Sequence, residues 1–264
     1  MTRKLVATLL MATVLLAVPV ALAEDTIESI EKAVVEQWDK LTSVCASLAL
    51  NADFPMNIVA SLISKKEPDP ANKAVGKLVI NGPVDYQKKD GKVASRLELN
   101  AALNEALKAR ALFVSDGTNA NLEYEYFGKV ETKKIEQADM APPGGKALFD
   151  YLKQEFNLAA QPAEKVNDKD AYVLDATLKT PDPSIPISKL RFYFAKDSGV
   201  LLKGIVYNAE NAPFATLLVN DIKLNTPIPD DRFKYTPPAP PAPPAAPAPA
   251  AAPSASAPAP AVKK

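Results

Sequence analysis

Apolar residues recur along the chain with two periods, and the switches between them mark the elements. Ile27, Ile30, Val34, Trp38 and Leu41 stand three or four apart, with Glu28, Glu31, Lys32 and Lys40 off that stripe. A helix therefore opens the folded part. After Leu41 the period drops to two: Val44, Ala46, Leu48 and Leu50 alternate with Ser43, Cys45, Ser47 and Ala49, the pattern of a strand with one buried face. From Ala74 onward the pattern predicts an antiparallel meander. Residues 77–80 run to a turn at Asn81-Gly82-Pro83, and residues 84–87 run to Asp90-Gly91, a hairpin signal. Leu97, Leu99, Ala101 and Leu103 alternate with Arg96, Glu98 and Asn100. Ser115-Asp116-Gly117 then turns residues 111–114 into 122–126, and another strand follows Gly128. A second helix is predicted from about Gly145 to Phe156, with Leu148, Leu152 and Phe156 on one stripe. Residues 172–178, 190–194, 201–207 and 215–224 supply four more strands, with Asp197-Ser198-Gly199 turning the chain between the second and third. Nine or ten short strands with two helices imply a mainly β (α+β) fold, a curved antiparallel sheet, and not alternating β-α units.

Both ends of the chain depart from this pattern. Arg3 and Lys4 precede an apolar run from Leu5 to Val20, and Ala21-Leu22-Ala23 gives the small-x-small pattern of a signal-peptidase site. The run is shorter than the roughly 20 residues that span a bilayer. Residues 1–23 are thus expected to be a signal peptide cleaved between Ala23 and Glu24, giving an exported, soluble, periplasmic protein. The residue directly after the cleavage point is Glu24 and not a cysteine, so no lipid anchor is expected. At the other end, residues 237–264 are almost entirely proline and alanine, with eleven prolines between Pro237 and Pro260. Alternating Pro and Ala cannot form a ladder or a core. The expectation is a disordered tail, reaching on the order of 75 Å if extended at about 3.1 Å per residue. Residues 24–236 are left as a single domain.

Composition removes several classes of chemistry. The chain has no histidine and one cysteine, Cys45. Ser-His-Asp and Cys-His catalytic sets, His-ligated metal sites, an intramolecular disulfide and CxxC pairs are all excluded. The 31 basic and 31 acidic residues balance; cleavage after Ala23 removes two basic residues and no acidic one, leaving a formal charge of −2. No global field draws the chain to nucleic acid. No Gly-rich nucleotide motif is present. The acidic pairs Asp230-Asp231 and Asp168/Asp170 fall in turn-like polar stretches and read as solvated loops. The expectation is a non-enzymatic protein with no catalytic residues, no cofactor and no metal.

Three local patterns, in order along the chain, carry a resemblance. Gly76-Lys-Leu-Val-Ile80 is followed by Pro83. Leu112-Phe-Val-Ser-Asp-Gly117 precedes the aromatic strand Tyr124-Glu-Tyr126. Asp221-Ile-Lys-Leu-Asn225 leads to Pro229-Asp-Asp-Arg-Phe-Lys-Tyr-Thr-Pro-Pro238. With the signal peptide, this set resembles the LolA-like periplasmic carriers of outer-membrane lipoproteins, over roughly residues 25–238. The resemblance implies an incomplete antiparallel β-barrel covered by helices, in which an apolar cavity takes acyl chains. Where the family has an arginine before the turn proline that helps hold a lid, this chain has Asn81-Gly82.

An incomplete barrel has a face that helices either fill or leave as a cavity. An acyl chain suits an apolar cavity without directional chemistry, each buried CH₂ contributing roughly 0.8 kcal/mol. The candidate lining set is Trp38, Val44, Leu48, Leu78, Ile80, Leu97, Leu99, Phe192 and Phe194. Each is also an ordinary core residue if the face is packed. The expected function is that of a monomeric carrier of lipoprotein acyl chains or free lipid. The alternative is an envelope interaction or sensing module on the same scaffold, with the Pro/Ala tail as a spacer toward envelope membrane proteins or peptidoglycan.

Overall fold

The computed structural model describes residues 25–56, 74–104, 107–135, 144–180 and 187–237. The expected signal peptide, its Ala23/Glu24 cleavage point and the tail from residue 238 lie outside the described residues. Among the described residues two helices, α1 (Ile27–Asp39) and α2 (Gly145–Glu155), accompany eleven strands. The strands are β1 (Ser43–Pro55), β2 (Val75–Lys89), β3 (Lys92–Leu103), β4 (Leu107–Ser115), β5 (Ala120–Tyr126) and β6 (Lys129–Ile135), then β7 (Phe156–Val166), β8 (Lys169–Leu178), β9 (Lys189–Ala195), β10 (Leu201–Tyr207) and β11 (Pro213–Leu224). All pair antiparallel in one sheet of order β6-β5-β4-β3-β2-β1-β11-β10-β9-β8-β7. The sheet is not closed: β6 and β7 are its edges. It is the mainly β, helix-covered, incomplete barrel that the period-two pattern and the family resemblance imply.

Helix α1 starts at a capping box in which Thr26 and Ser29 exchange side-chain and backbone hydrogen bonds. Ile30, Val34 and Trp38 form its buried stripe. With Phe149, Leu152, Phe156, Leu174, Ala176 and Phe194 the first two make the main core, so both helices cover the same face of β7–β10. Gly199, at φ +69° in the β9–β10 turn, lets α1 come close, since a Cβ there would stand 2.4 Å from the carbonyl oxygen of Val34.

Two strand assignments change on folding. Residues 75–89 form one strand running straight through Asn81-Gly82-Pro83, where the sequence pattern places a turn. Gly82 and Pro83 keep register with Leu48 and Ser47 on β1. On the β3 side a Cβ at Gly82 would stand 1.7 Å from the Glu98 carbonyl oxygen, so the glycine serves a close backbone approach. Conversely, β7 forms where the sequence reading places no strand, although Phe156, Leu158 and Ala160 alternate with Asn157, Ala159 and Gln161. It is an edge strand with a register shift between Gln161 and Glu164, where Pro162 is tolerated, and its polar residues face solvent. In α2 the buried residues are Gly145, Phe149 and Leu152; Leu148, on the expected stripe, is only half-buried.

Candidate functional site

Directly opposed residues in an antiparallel pair share a face, so the register carries a single face from strand to strand. Starting on β1 with Val44, Leu48 and Leu50, it passes to Tyr86, Gly82 and Ile80 on β2. From Val84 and Ile80 it passes to Leu97 and Ala101 on β3, then to Phe113 and Ala109 on β4, and to Leu122 and Tyr126 on β5. In the other direction Leu48 and Leu50 oppose Val219 and Leu217 on β11. Leu217 opposes Gly204 on β10, and Gly204 opposes Phe192 on β9. The eight strand residues of the candidate lining set therefore lie on one face of one sheet, the face that the helices cover.

They differ in what covers them. Val44 and Trp38 are buried together with Leu41, Tyr86 and Val200, and the Trp38 and Tyr86 rings stand 5.2 Å apart. A Cβ at Gly144 or Gly145 would meet the Trp38 ring at 2.7 Å, so the start of α2 lies directly on it. Phe194 is also fully covered, with its ring 5.7 Å from Phe149. Leu48, Leu78, Ile80, Leu97, Leu99 and Phe192 are half-buried, and the first five of these lie on β1–β3, away from the main core. Between Phe192 and Leu217 the face carries no side chain at Gly204, where an added Cβ would meet only Leu217 at 3.7 Å. Leu50, which the alternation already puts on this face, completes the apolar area with Leu217 and Gly204, which the register brings beside it.

Toward edge strand β6 the same face turns polar. Tyr124 and Tyr126 stack at 5.8 Å and both donate to Glu131, at 2.6 and 2.5 Å. These hydrogen bonds, from Tyr124 first, lower the Glu131 carboxyl below its usual value. The opposite face of β2–β5 is built differently. The segment after β11, with a short 3₁₀ turn at Asp230–Phe233, crosses it as a strap. Arg232 donates to Asp85 at 2.7 Å and lies 2.6 Å from Glu98, while Tyr235 donates to Glu123 at 3.1 Å. Burial pushes the Glu98 carboxyl up, but the hydrogen bonds from Arg96 and Arg232 outweigh it and hold it low. Cys45 faces this polar side, and burial, reinforced by Asp85, raises its thiol. Among the described residues no three His, Cys, Asp or Glu side chains stand close enough to share a metal ion.

The features define an open, mainly β half-barrel whose helix-side face is apolar and partly uncovered, with a salt-bridged strap behind it. No family model matches the sequence, and no curated protein matches it. Solved structures do. The Pseudomonas aeruginosa MucA/MucB complex is 12% identical over 78% of this chain, with a TM-score of 0.44; the match spans only 61% of the chain in that structure. The Mycobacterium tuberculosis lipoprotein LppX is 15% identical over 77% of this chain and 97% of its own, with a TM-score of 0.40. A LolA superfamily protein from Nitrosomonas europaea is 13% identical over 80% of this chain and 98% of its own, with a TM-score of 0.27. These likenesses transfer no activity to this chain. Among the described residues no helix is long and apolar enough to cross a membrane.

Proposed function

We propose that the chain is an exported, non-enzymatic carrier that binds acyl chains, of lipoproteins or of free lipid, on the helix-side face of its half-barrel. The observation that carries this reading is the division of that face. Its β7–β10 part is filled by Phe149, Leu152, Ile30 and Val34, whereas Leu48, Leu78, Ile80, Leu97 and Leu99 on β1–β3 stay half-buried. Half-covered apolar side chains in register across neighbouring strands suit a flexible hydrocarbon chain, which gains from area and needs no fixed polar partner. The Tyr124-Tyr126-Glu131 group would mark the polar limit of the site. Residues 1–23 would be removed on export and residues 237–264 would act as a tail outside the fold.

Mass spectrometry of lipid extracted from the purified protein tests the reading, together with titration of a fluorescent fatty acid. Bound acyl species and saturable probe binding are expected. A protein that carries no lipid and binds no probe would leave the interaction module as the better account.

A further inference from the structure

Among the described residues, four of the five exposed large apolar side chains stand at one end of the sheet. Val75, Val79, Phe127 and Val130 are 60%, 38%, 61% and 48% exposed. Val75 begins β2, Phe127 lies in the β5–β6 turn, and Val130 is the second residue of β6. The register puts these positions at the same end, through Leu78↔Leu103, Leu103↔Leu107 and Ala109↔Tyr126.

Phe127 is the most informative of them. It holds φ +49° beside Gly128 at +71°, both in the left-handed region that a two-residue hairpin of this type requires. Asn, Asp or Gly normally occupies the first of these positions, and a bulky side chain there is strained. The ring gains little burial in return, since its one ring contact is an edge approach to Tyr126 at 6.2 Å. A strained aromatic held out into solvent is poorly explained by folding. Around it stand the exposed cations Lys77, Lys108, Arg110 and Lys129. Of these only Arg110 has a salt-bridge partner among the described residues, Glu123 at 4.0 Å. Among the described residues the carboxylates nearby are Asp53 and Glu125, with Glu131 already engaged by two tyrosines.

We infer that this end of the half-barrel docks on an anionic lipid surface, with Phe127 and the neighbouring valines entering the interface and the lysines meeting lipid phosphates. The charge sign selects the occupant. Exposed apolar side chains at one rim, beside three lysines (Lys77, Lys108 and Lys129) with no salt-bridge partner among the described residues, match a bilayer surface carrying negative headgroups. The inference stands apart from the acyl-carrier reading, because it uses the rim of the sheet and not its apolar face.

Co-sedimentation of the full chain with vesicles tests it. The protein should pellet with vesicles of phosphatidylcholine mixed with phosphatidylglycerol, weakly with phosphatidylcholine alone, and less as salt rises. Phe127→Asn should weaken binding to the mixed vesicles by about ten-fold or more, the loss expected from one aromatic. The same substitution should raise the melting temperature, because asparagine accepts the left-handed turn. Lys108→Gln with Lys129→Gln should weaken binding without changing fatty-acid titration. A wild-type protein that stays in the supernatant, or a Phe127→Asn variant that pellets like wild type, overturns the inference; a partner protein would then be the occupant of this end. Failure of fatty-acid binding alone would bear only on the carrier reading.

Discussion

Arg191 and Asp175 clamp β9 to β8 with two parallel hydrogen bonds, Nε to Oδ1 at 2.6 Å and the second guanidinium nitrogen to Oδ2 at 2.9 Å. They are directly opposed in the register, and Lys189 adds a second cation 3.4 Å from the same carboxylate. Burial pushes the Asp175 carboxyl up, but the Arg191 hydrogen bonds and charge, with Lys189, bring it below its ordinary value. A depressed carboxylate contributes stability above its unfolded pKa and loses it as pH falls. Asp175→Asn should therefore cost about 2–3 kcal/mol at neutral pH, because Lys189 and Arg191 are left with only the half-exposed Glu164, 3.9 Å from Arg191. The gap between wild type and variant should close as pH drops below about 4. Chemical denaturation at neutral and acid pH measures both effects.

The covered and uncovered parts of the apolar face should respond oppositely to added volume. Phe194 is 1% exposed against α2, so Phe194→Trp should overpack and cost about 1–3 kcal/mol. Leu99→Trp, on the half-buried part, should change stability by less than about 1 kcal/mol. If acyl chains lie there, it should also alter fatty-acid affinity. A thermal melt beside a probe titration separates the two sites.

Gly82→Ala should be among the most damaging single-methyl changes. The new Cβ would collide with the Glu98 carbonyl and force β2 away from β3, at a cost of about 2 kcal/mol or more. Hydrogen exchange on β2 and β3 would show the loosening locally.

Arg232→Ala removes the side chain that joins the strap to Asp85 and Glu98. With Arg232 one-third exposed, the loss should be modest, about 1–2 kcal/mol. The strap should become readily cleaved by protease after Lys234, while Phe233, buried at 3% exposure, limits complete release.

How much could be read in advance depended on whether the cause was local. The α1 stripe, the Asp90-Gly91 and Asp197–Gly199 turns and most strands were legible, because periodicity and turn chemistry act within a few residues. So was the facing of apolar residues within each strand, which alternation assigns; that Leu48, Ile80, Leu97 and Phe192 share one face is decided by the register between strands. The passage of β2 through Gly82-Pro83 was not legible. Only the approach of the Glu98 carbonyl from β3 shows why a glycine there continues a strand instead of ending it.

The amino-acid sequence by itself determined the class: an antiparallel sheet with two amphipathic helices, no histidine chemistry, and apolar side chains alternating along each strand. Tertiary structure decided what those side chains do. Val44 and Phe194 have the same alternating pattern as Leu48, Leu97 and Leu99, yet the helices reach only the first two. Coverage depends on where α1 and α2 come to rest, which is set by Gly199, Gly144 and Gly145 allowing close approach. It was likewise pairing across the sheet that gathered Val75, Val79, Phe127 and Val130 at one rim. Sequence distance keeps them apart; register brings them together.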